Sequence, residues 1–269
     1  MRRKHLESAL CSVKREFPAP KISLEQYPTS PELTTSVILE ALLRGDLGPG
    51  RSALDLGCGT GMLAVACALV ESDYVLAVDC DEDALQVALE NRENLELGER
   101  ISFVLGRVTN LKGNSSKQSK VSENGCRGRG RGRGRDRTVG SGRQGRGSTK
   151  ESMELITSDN DGLPLRSRCV DTVLTNPPFG TKNNAGMDLR FLRAATRLAR
   201  TSVYSFHKTS TRAFVSRVVN HWGMNVEVVA QMKFDLPQTY KFHKEKSVDV
   251  EVDLIRVAVF PDEERAEEE

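Results

Sequence analysis

Ser52-Ala53-Leu54-Asp55-Leu56-Gly57-Cys58-Gly59-Thr60-Gly61-Met62 decides the architecture of this chain. Ser52–Leu56 is a short apolar run that reads as a buried strand. Three alternating glycines then turn the chain into an apolar helix over 62–70. Strand, glycine turn and helix open a rhythm that the rest of the chain continues. Strand Tyr74–Val78 ends at Asp79, a helix spans 82–96, and strand Ile101–Leu105 follows. A strand over 169–175 and a helix over 187–200 come next, the helix with Leu189, Leu192, Ala195, Leu198 and Ala199 at helical spacing. Strand Ser202–Phe206 and a helix over 210–221 extend the pattern. Two long strands, Asn225–Phe234 and Val248–Phe260, leave no room for a helix between them, so they are expected to pair antiparallel at one side. The expected fold is α/β: a doubly wound, seven-stranded, mostly parallel sheet with a terminal antiparallel pair.

Residues 1–50 precede this body. Residues 1–16 read as a helix with Leu6, Ala9, Leu10 and Val13 on one face. Residues 31–43 read as a second helix, with Pro31 in its first turn and Ser30 as its cap. The main domain is expected over 51–261, interrupted by an insert at about 107–165, and 262–269 is an acidic tail. The insert carries Cys126-Arg-Gly-Arg-Gly-Arg-Gly-Arg-Gly-Arg135 and almost no apolar residues, so it cannot build a core and is expected to be disordered. Its charge is segregated. Residues 112–150 hold twelve Lys/Arg against two acids, while the rest of the chain holds 27 basic against 35 acidic residues. The arm leaves the sheet at the C-terminal end of its third strand, where ligands bind in such folds, and is expected to add phosphate affinity there.

No run approaches the ~20 apolar residues of a membrane span, and the first residues show no signal-peptide core. Six cysteines without CxxC spacing argue against a zinc site or a disulfide framework. No metal is expected, and a reducing compartment, nucleus and cytoplasm, is the expected location.

A second motif, Asn176-Pro177-Pro178-Phe179, closes the 169–175 strand. Its chemistry suits a planar NH2 group. The Asn176 side-chain oxygen and the Pro177 carbonyl can accept both amino hydrogens, and the prolines fix φ so that these acceptors are pre-aimed. Phe179 offers a stacking surface. Adenine N6, guanine N2 and glutamine amide nitrogen all fit such a grip.

The glycines at 57, 59 and 61 do not match the nicotinamide pattern G-x-G-x-x-G, whose third glycine would fall at Met62. The form acid-x-Gly-x-Gly-x-Gly instead resembles class I S-adenosylmethionine (SAM) methyltransferases, which have a Rossmann-like fold. Their cofactor carries an ammonium and a sulfonium, which favour a nearby acid such as Asp55. Asp79, at the end of the second strand, suits two ribose hydroxyls. In this resemblance the third strand usually ends in an acid or amide facing the adenine, and Arg107 takes that place here.

Leu24-Glu25-Gln26-Tyr27-Pro28-Thr29, Asn176-Pro-Pro-Phe-Gly-Thr-Lys-Asn183, Val203-Tyr-Ser-Phe-His-Lys208 and Asp235-Leu-Pro-Gln-Thr-Tyr-Lys-Phe-His-Lys244 carry a closer resemblance. Together they resemble the methyltransferase-like family that makes N6-methyladenosine in eukaryotic small-subunit (18S) ribosomal RNA. The resemblance covers roughly 5–106 and 160–260. It implies a SAM-dependent RNA adenine-N6 methyltransferase, with glutamine-N5 protein and guanine-N2 RNA methylation as the alternatives. It also implies a heterodimer with a small zinc-binding activator subunit. It places Gln26 and Thr29 in the cofactor site as part of a lid, with Gly57, Gly59, Thr60, Gly61, Met62 and Asp79. The activator is expected along the exposed edge strand Ile101–Leu105. RNA contacts are expected from Lys241, His243, Lys244 and Lys246, in a basic loop with interleaved aromatics, and from His207 and Lys208.

Overall fold

The computed structural model describes residues 1–109, 161–180, 184–237 and 247–259. Helix α1 (Arg3–Leu10) and helix α2 (Pro31–Leu43) precede strand β1 (Ser52–Leu56). Then come α3 (Met62–Leu69), β2 (Tyr74–Asp79), α4 (Glu82–Asn94) and β3 (Ile101–Leu105). Beyond the insert follow β4 (Val170–Thr175), α5 (Met187–Leu198), β5 (Ala199–Lys208), α6 (Arg212–His221), β6 (Asn225–Pro237) and β7 (Ser247–Ala258).

One seven-stranded sheet runs β3-β2-β1-β4-β5-β7-β6. All pairings are parallel except those of β7, which runs antiparallel to both β5 and β6. This is the expected α/β fold. The burial patterns explain the order at the far side: Val252–Val257 is buried on both faces, as an inner strand must be, whereas residues 225–233 of β6 are exposed or half-buried, as an edge allows. One apolar layer gathers α1, α2 and α3 on one face of the sheet, and another gathers α5 and α6 on the other.

Ser30 accepts a hydrogen bond from Leu33 N at 3.2 Å and Pro31 occupies the first turn of α2, as its sequence position requires. Other boundaries differ from expectation. Helix α1 stops at Leu10, although Val13 remains buried beyond it. Helix α5 ends at Leu198 because Ala199 pairs with Val170, so β5 begins three residues before Ser202.

The insert is narrower than 107–165. Val108 and Leu163 are buried in the α5–α6 layer, and Thr109 N donates to Asp161 O at 2.8 Å. The Asp161 carboxylate takes Arg197 Nε at 2.7 Å and Nη2 at 2.9 Å, so both flanks are tied to α5. The Arg-Gly run itself, with the expected disorder of the insert, lies outside the described residues. So do Lys241, His243, Lys244, Lys246 and the acidic tail.

A buried polar cluster ties the loop after α2 to the sheet. The Asp46 carboxylate accepts from Tyr204 OH and from Arg256 Nε, each at 2.8 Å. No described helix is long and apolar enough to cross a membrane.

Candidate active site

The C-terminal ends of β1, β2 and β4 face one cavity. Its walls include Asp55, Gly57, Gly59, Asp79, Asn176 and the whole segment from Ser23 to Thr29. Parallel strands bring these ends together, because each strand starts from the same side of the sheet.

The glycine turn needs its glycines. Gly57 and Gly59 have φ of +77° and +53°, in the left-handed region that penalises a side chain. A Cβ on Gly57 would lie 2.8 Å from Phe191 Cε1, and one on Gly59 would lie 2.9 Å from Phe17 Cζ. Aromatic rings therefore press on the turn from α5 and from the N-terminal segment. Gly57→Ala is expected to destabilise the protein by about 2–3 kcal/mol, from backbone strain and the clash combined. Denaturant unfolding checks this. Adding Phe191→Ala should recover only the steric share, since φ stays positive. Thr60 and Met62 also line the cavity, whereas Gly61 packs against Ala88 of α4.

Asp55 is buried at the end of β1. One of its oxygens accepts from Ala64 N at 2.9 Å, and the other has no partner. Burial, with Asp79 nearby, pushes its carboxyl up to about 7 despite the Ala64 bond. Asp79 accepts from Gly59 N at 2.7 Å and Asp81 N at 2.9 Å, one on each oxygen. Burial raises its carboxyl as well. Each oxygen keeps a further lone pair for a hydroxyl. The N-cap of α4 is Asp81, not Asp79.

Segment 21–29 is latched at three places. Lys21 and Gln26 both donate to the Asp81 carboxylate, Gln26 at 2.5 Å. Burial opposes ionisation of Asp81, but these two hydrogen bonds outweigh it and hold its carboxyl below the usual range. Asn184 Nδ2 donates to Ser23 O at 2.8 Å and to Glu25 Oε1 at 3.0 Å. Asn176 Nδ2 donates to Thr29 Oγ1 at 3.0 Å. The remaining oxygen of Asn176 is buried and without a partner.

Within the Asn-Pro-Pro-Phe loop, Asn176 and Pro178 line the cavity and Pro177 does not. Phe179 is buried away from it, its ring meeting Phe234 edge-to-face at 5.7 Å and 86°. Arg107 lines the cavity beside Val108 and Cys80.

His207 corrects the expectation of an RNA contact. It is 1% exposed, with Nε2 at 3.0 Å from Ser205 Oγ and Nδ1 at 3.3 Å from Asp188 Oδ2. It joins β5 to the start of α5 and is closed off from solvent. The order of partners resembles a hydrolase relay, but Ser205 is fully buried and no carbonyl can approach it. Lys208, the last residue of β5, is half-buried. Among the described residues no cluster of acids, histidines and cysteines suits a metal.

Sequence reasoning missed Phe17, Asp81, Asn184 and Phe191. Phe191 lies off the leucine stripe of α5, and only that position signals a separate task. The partners of Asp81 and Asn184 are 55 to 161 residues away, beyond any local pattern.

The family model of ribosomal protein L11 methyltransferase (PrmA) matches residues 29–121, which hold the glycine turn and Asp79 but not Asn176. The rRNA N6-adenosine-methyltransferase METTL5 of Danio rerio is 35% identical over 95% of this chain and 98% of its own length. The chain belongs to the METTL5 family. The Drosophila melanogaster METTL5 protein is 34% identical over 90% of this chain and 90% of its own. A crystal structure of a candidate RNA methyltransferase, PH1948 of Pyrococcus horikoshii, superimposes with a TM-score of 0.67, 25% identity and 96% coverage of each chain. These two METTL5 relatives cover 95% and 90% of this chain.

Proposed function

We propose that the protein is a SAM-dependent RNA methyltransferase that forms N6-methyladenosine in small-subunit (18S) ribosomal RNA. The observation that carries this reading is the pair of unpartnered buried oxygens, on Asp55 and Asn176, two residues that line one cavity. A buried acceptor without a donor costs roughly 1–3 kcal/mol, so each marks a place where a ligand donor is wanted. Asp55 suits the cofactor's ammonium, and Asn176 suits the acceptor's NH2. The METTL5 relatives, named for rRNA adenosine N6, favour adenine as that acceptor.

SAM bound in this cavity supplies an electrophilic methyl group. Asp55 and the backbone of Gly57 to Thr60 would hold it, with Gln26 and Thr29 above the methionine end and Asp79 at the ribose. The adenine end has no acid, since Arg107 stands there, and backbone groups of 106–108 would serve instead. Asn176 Oδ1 would accept an amino hydrogen, helping to turn the nitrogen lone pair out of conjugation and toward the methyl. No buried base is needed, because the nitrogen becomes acidic only after transfer. An adenine in structured RNA must first be flipped out.

We also propose a heterodimer with a small zinc-binding activator, working in nucleus and cytoplasm. Strand β3 is an edge, Ser102–Val104 are half-buried, and Leu105 is 52% exposed. Such an edge suits a partner strand. Lysine at Ser102 and Val104 together is expected to abolish co-purification of the two subunits; retained co-purification would exclude this edge.

Nucleoside analysis after methylation by the purified heterodimer tests the function. N6-methyladenosine appearing in small-subunit rRNA is the expected result. N2-methylguanosine, or methyl label in protein glutamine, would replace this reading with one of its alternatives.

A further inference from the structure

We infer that Arg190 binds a backbone phosphate of the RNA at the rim of the cavity, beside the nucleotide that enters it. The inference rests on the proposed RNA substrate and names a contact outside the cofactor site.

Arg190 lies in the first turn of α5, directly after the Asn-Pro-Pro-Phe loop and its connection. Met187 and Phe191, one turn apart on this helix, line the cavity, and Arg190 stands on the flank of that stripe without lining the cavity itself. It is half-buried. Its one side-chain hydrogen bond among the described residues runs from Nη1 to Met187 Sδ at 3.2 Å. A guanidinium has five N–H donors, and a thioether is a weak acceptor. Burial holds the guanidinium below its usual range, with no carboxylate to offset it. The adjacent acid on the helix, Asp188, is turned to His207 Nδ1 instead. Elsewhere the chain supplies anions to such groups: Arg44, Arg197, Arg212 and Arg256, buried or half-buried likewise, each grip a carboxylate. Arg190 departs from that pattern at the mouth of the site.

The chemistry of the missing anion follows from what enters the cavity. A nucleotide that is flipped inward leaves its sugar–phosphate backbone at the rim, with a phosphate on either side of the target. The planar fork of a guanidinium matches a phosphate with two parallel hydrogen bonds. A glutamine side chain on a protein substrate brings no such anion. Arg190 therefore fixes where the backbone lies, while the cavity reads the base. Arg197, seven residues on and nearly two turns away on the same face, already holds Asp161 of the neck. Of these two arginines, only the one beside the cavity is left for the RNA.

The test uses the full chain in complex with its activator and purified small-subunit rRNA. The Kd for rRNA is measured across a salt series for Arg190→Gln and Arg190→Lys, beside the calorimetric Kd for SAM. Loss of one phosphate contact predicts an rRNA Kd about 5–10-fold higher for Arg190→Gln at about 50 mM salt, with the slope of log affinity against log salt shallower by about 0.7–0.9. Arg190→Lys keeps the charge and should keep the parent slope. The Kd for SAM should not change in either variant, and the thermal midpoint should not fall, since no ion pair is lost. Unchanged rRNA affinity and slope, a loss of affinity at the parent slope, or the same shallower slope for lysine as for glutamine would each overturn the inference. So would a loss of SAM affinity in proportion to that for rRNA. If the parent complex places its methyl label in protein glutamine and not in rRNA, the proposed function fails and the inference fails with it. If N6-methyladenosine forms in rRNA but the Arg190→Gln slope equals the parent's, only the inference fails.

Discussion

Asn176→Ala should lower the methylation rate about 10²–10³-fold while leaving the Kd for SAM within about twofold. The asymmetry is the informative part. Asn176 lines the cavity, but its one side-chain hydrogen bond in the structure is to Thr29, and its side-chain oxygen has no partner. Removing it takes away an acceptor for the reacting amino group without touching Asp55 or the glycine turn. Asn176→Asp is a sharper variant. It keeps an acceptor but loses the donor to Thr29, and it places a negative charge in a buried site, so it too should be slow. Single-turnover assays beside calorimetry separate the two effects. Equal losses in rate and in SAM binding would show that Asn176 belongs to the cofactor half.

Asp55→Asn should weaken SAM binding about 30–100-fold, the worth of one buried, charge-assisted contact. It should also remove a pH dependence. The Asp55 carboxyl lies at about 7 without cofactor, so at lower pH it is neutral, and binding a cation must expel a proton. Affinity for SAM is expected to rise close to tenfold per unit between about pH 5 and 7 and then level off. Stability carries the opposite sign. The folded carboxyl lies above its unfolded value of 3.8, so between these values the folded state binds more protons than the unfolded. This contribution is present at low pH and is lost as pH rises toward 7. Thermal midpoints should therefore fall over this range without cofactor, and fall less with S-adenosylhomocysteine present. Flat affinity across the range for the parent protein would exclude Asp55 as the partner of the ammonium.

Much of this architecture is local enough to be read from residues. Ser52–Leu56 with its glycine turn, the Ser30-Pro31 helix start and strand Ile101–Leu105 are set by short-range pattern, and the structure returns them with the same ends. The antiparallel pairing of β6 with β7 followed from the short link between them. What could not be read is carried by long-range packing. The start of β5 moved to Ala199 because Val170 captures it. His207 reads as a basic surface residue after Ser205 and Phe206, yet Asp188 and Ser205 make it part of the interior. Phe179 reads as a free stacking ring, but Phe234 from a distant strand packs against it. The lid could be suspected from its resemblance alone, whereas its latches to Asp81, Asn176 and Asn184 needed three-dimensional proximity.

The neck formed by Thr109, Asp161 and Arg197 has a consequence for how such a chain can change. The two ends meet at one place beside the sheet. For a flexible loop closed at such a neck, halving or doubling its length alters closure entropy by only about 0.6 kcal/mol. The neck begins two residues past Arg107, on the cavity wall. It works as a tether post at the mouth of the site: an affinity element grafted there can be lengthened, recharged or exchanged at almost no thermodynamic risk to the catalytic fold.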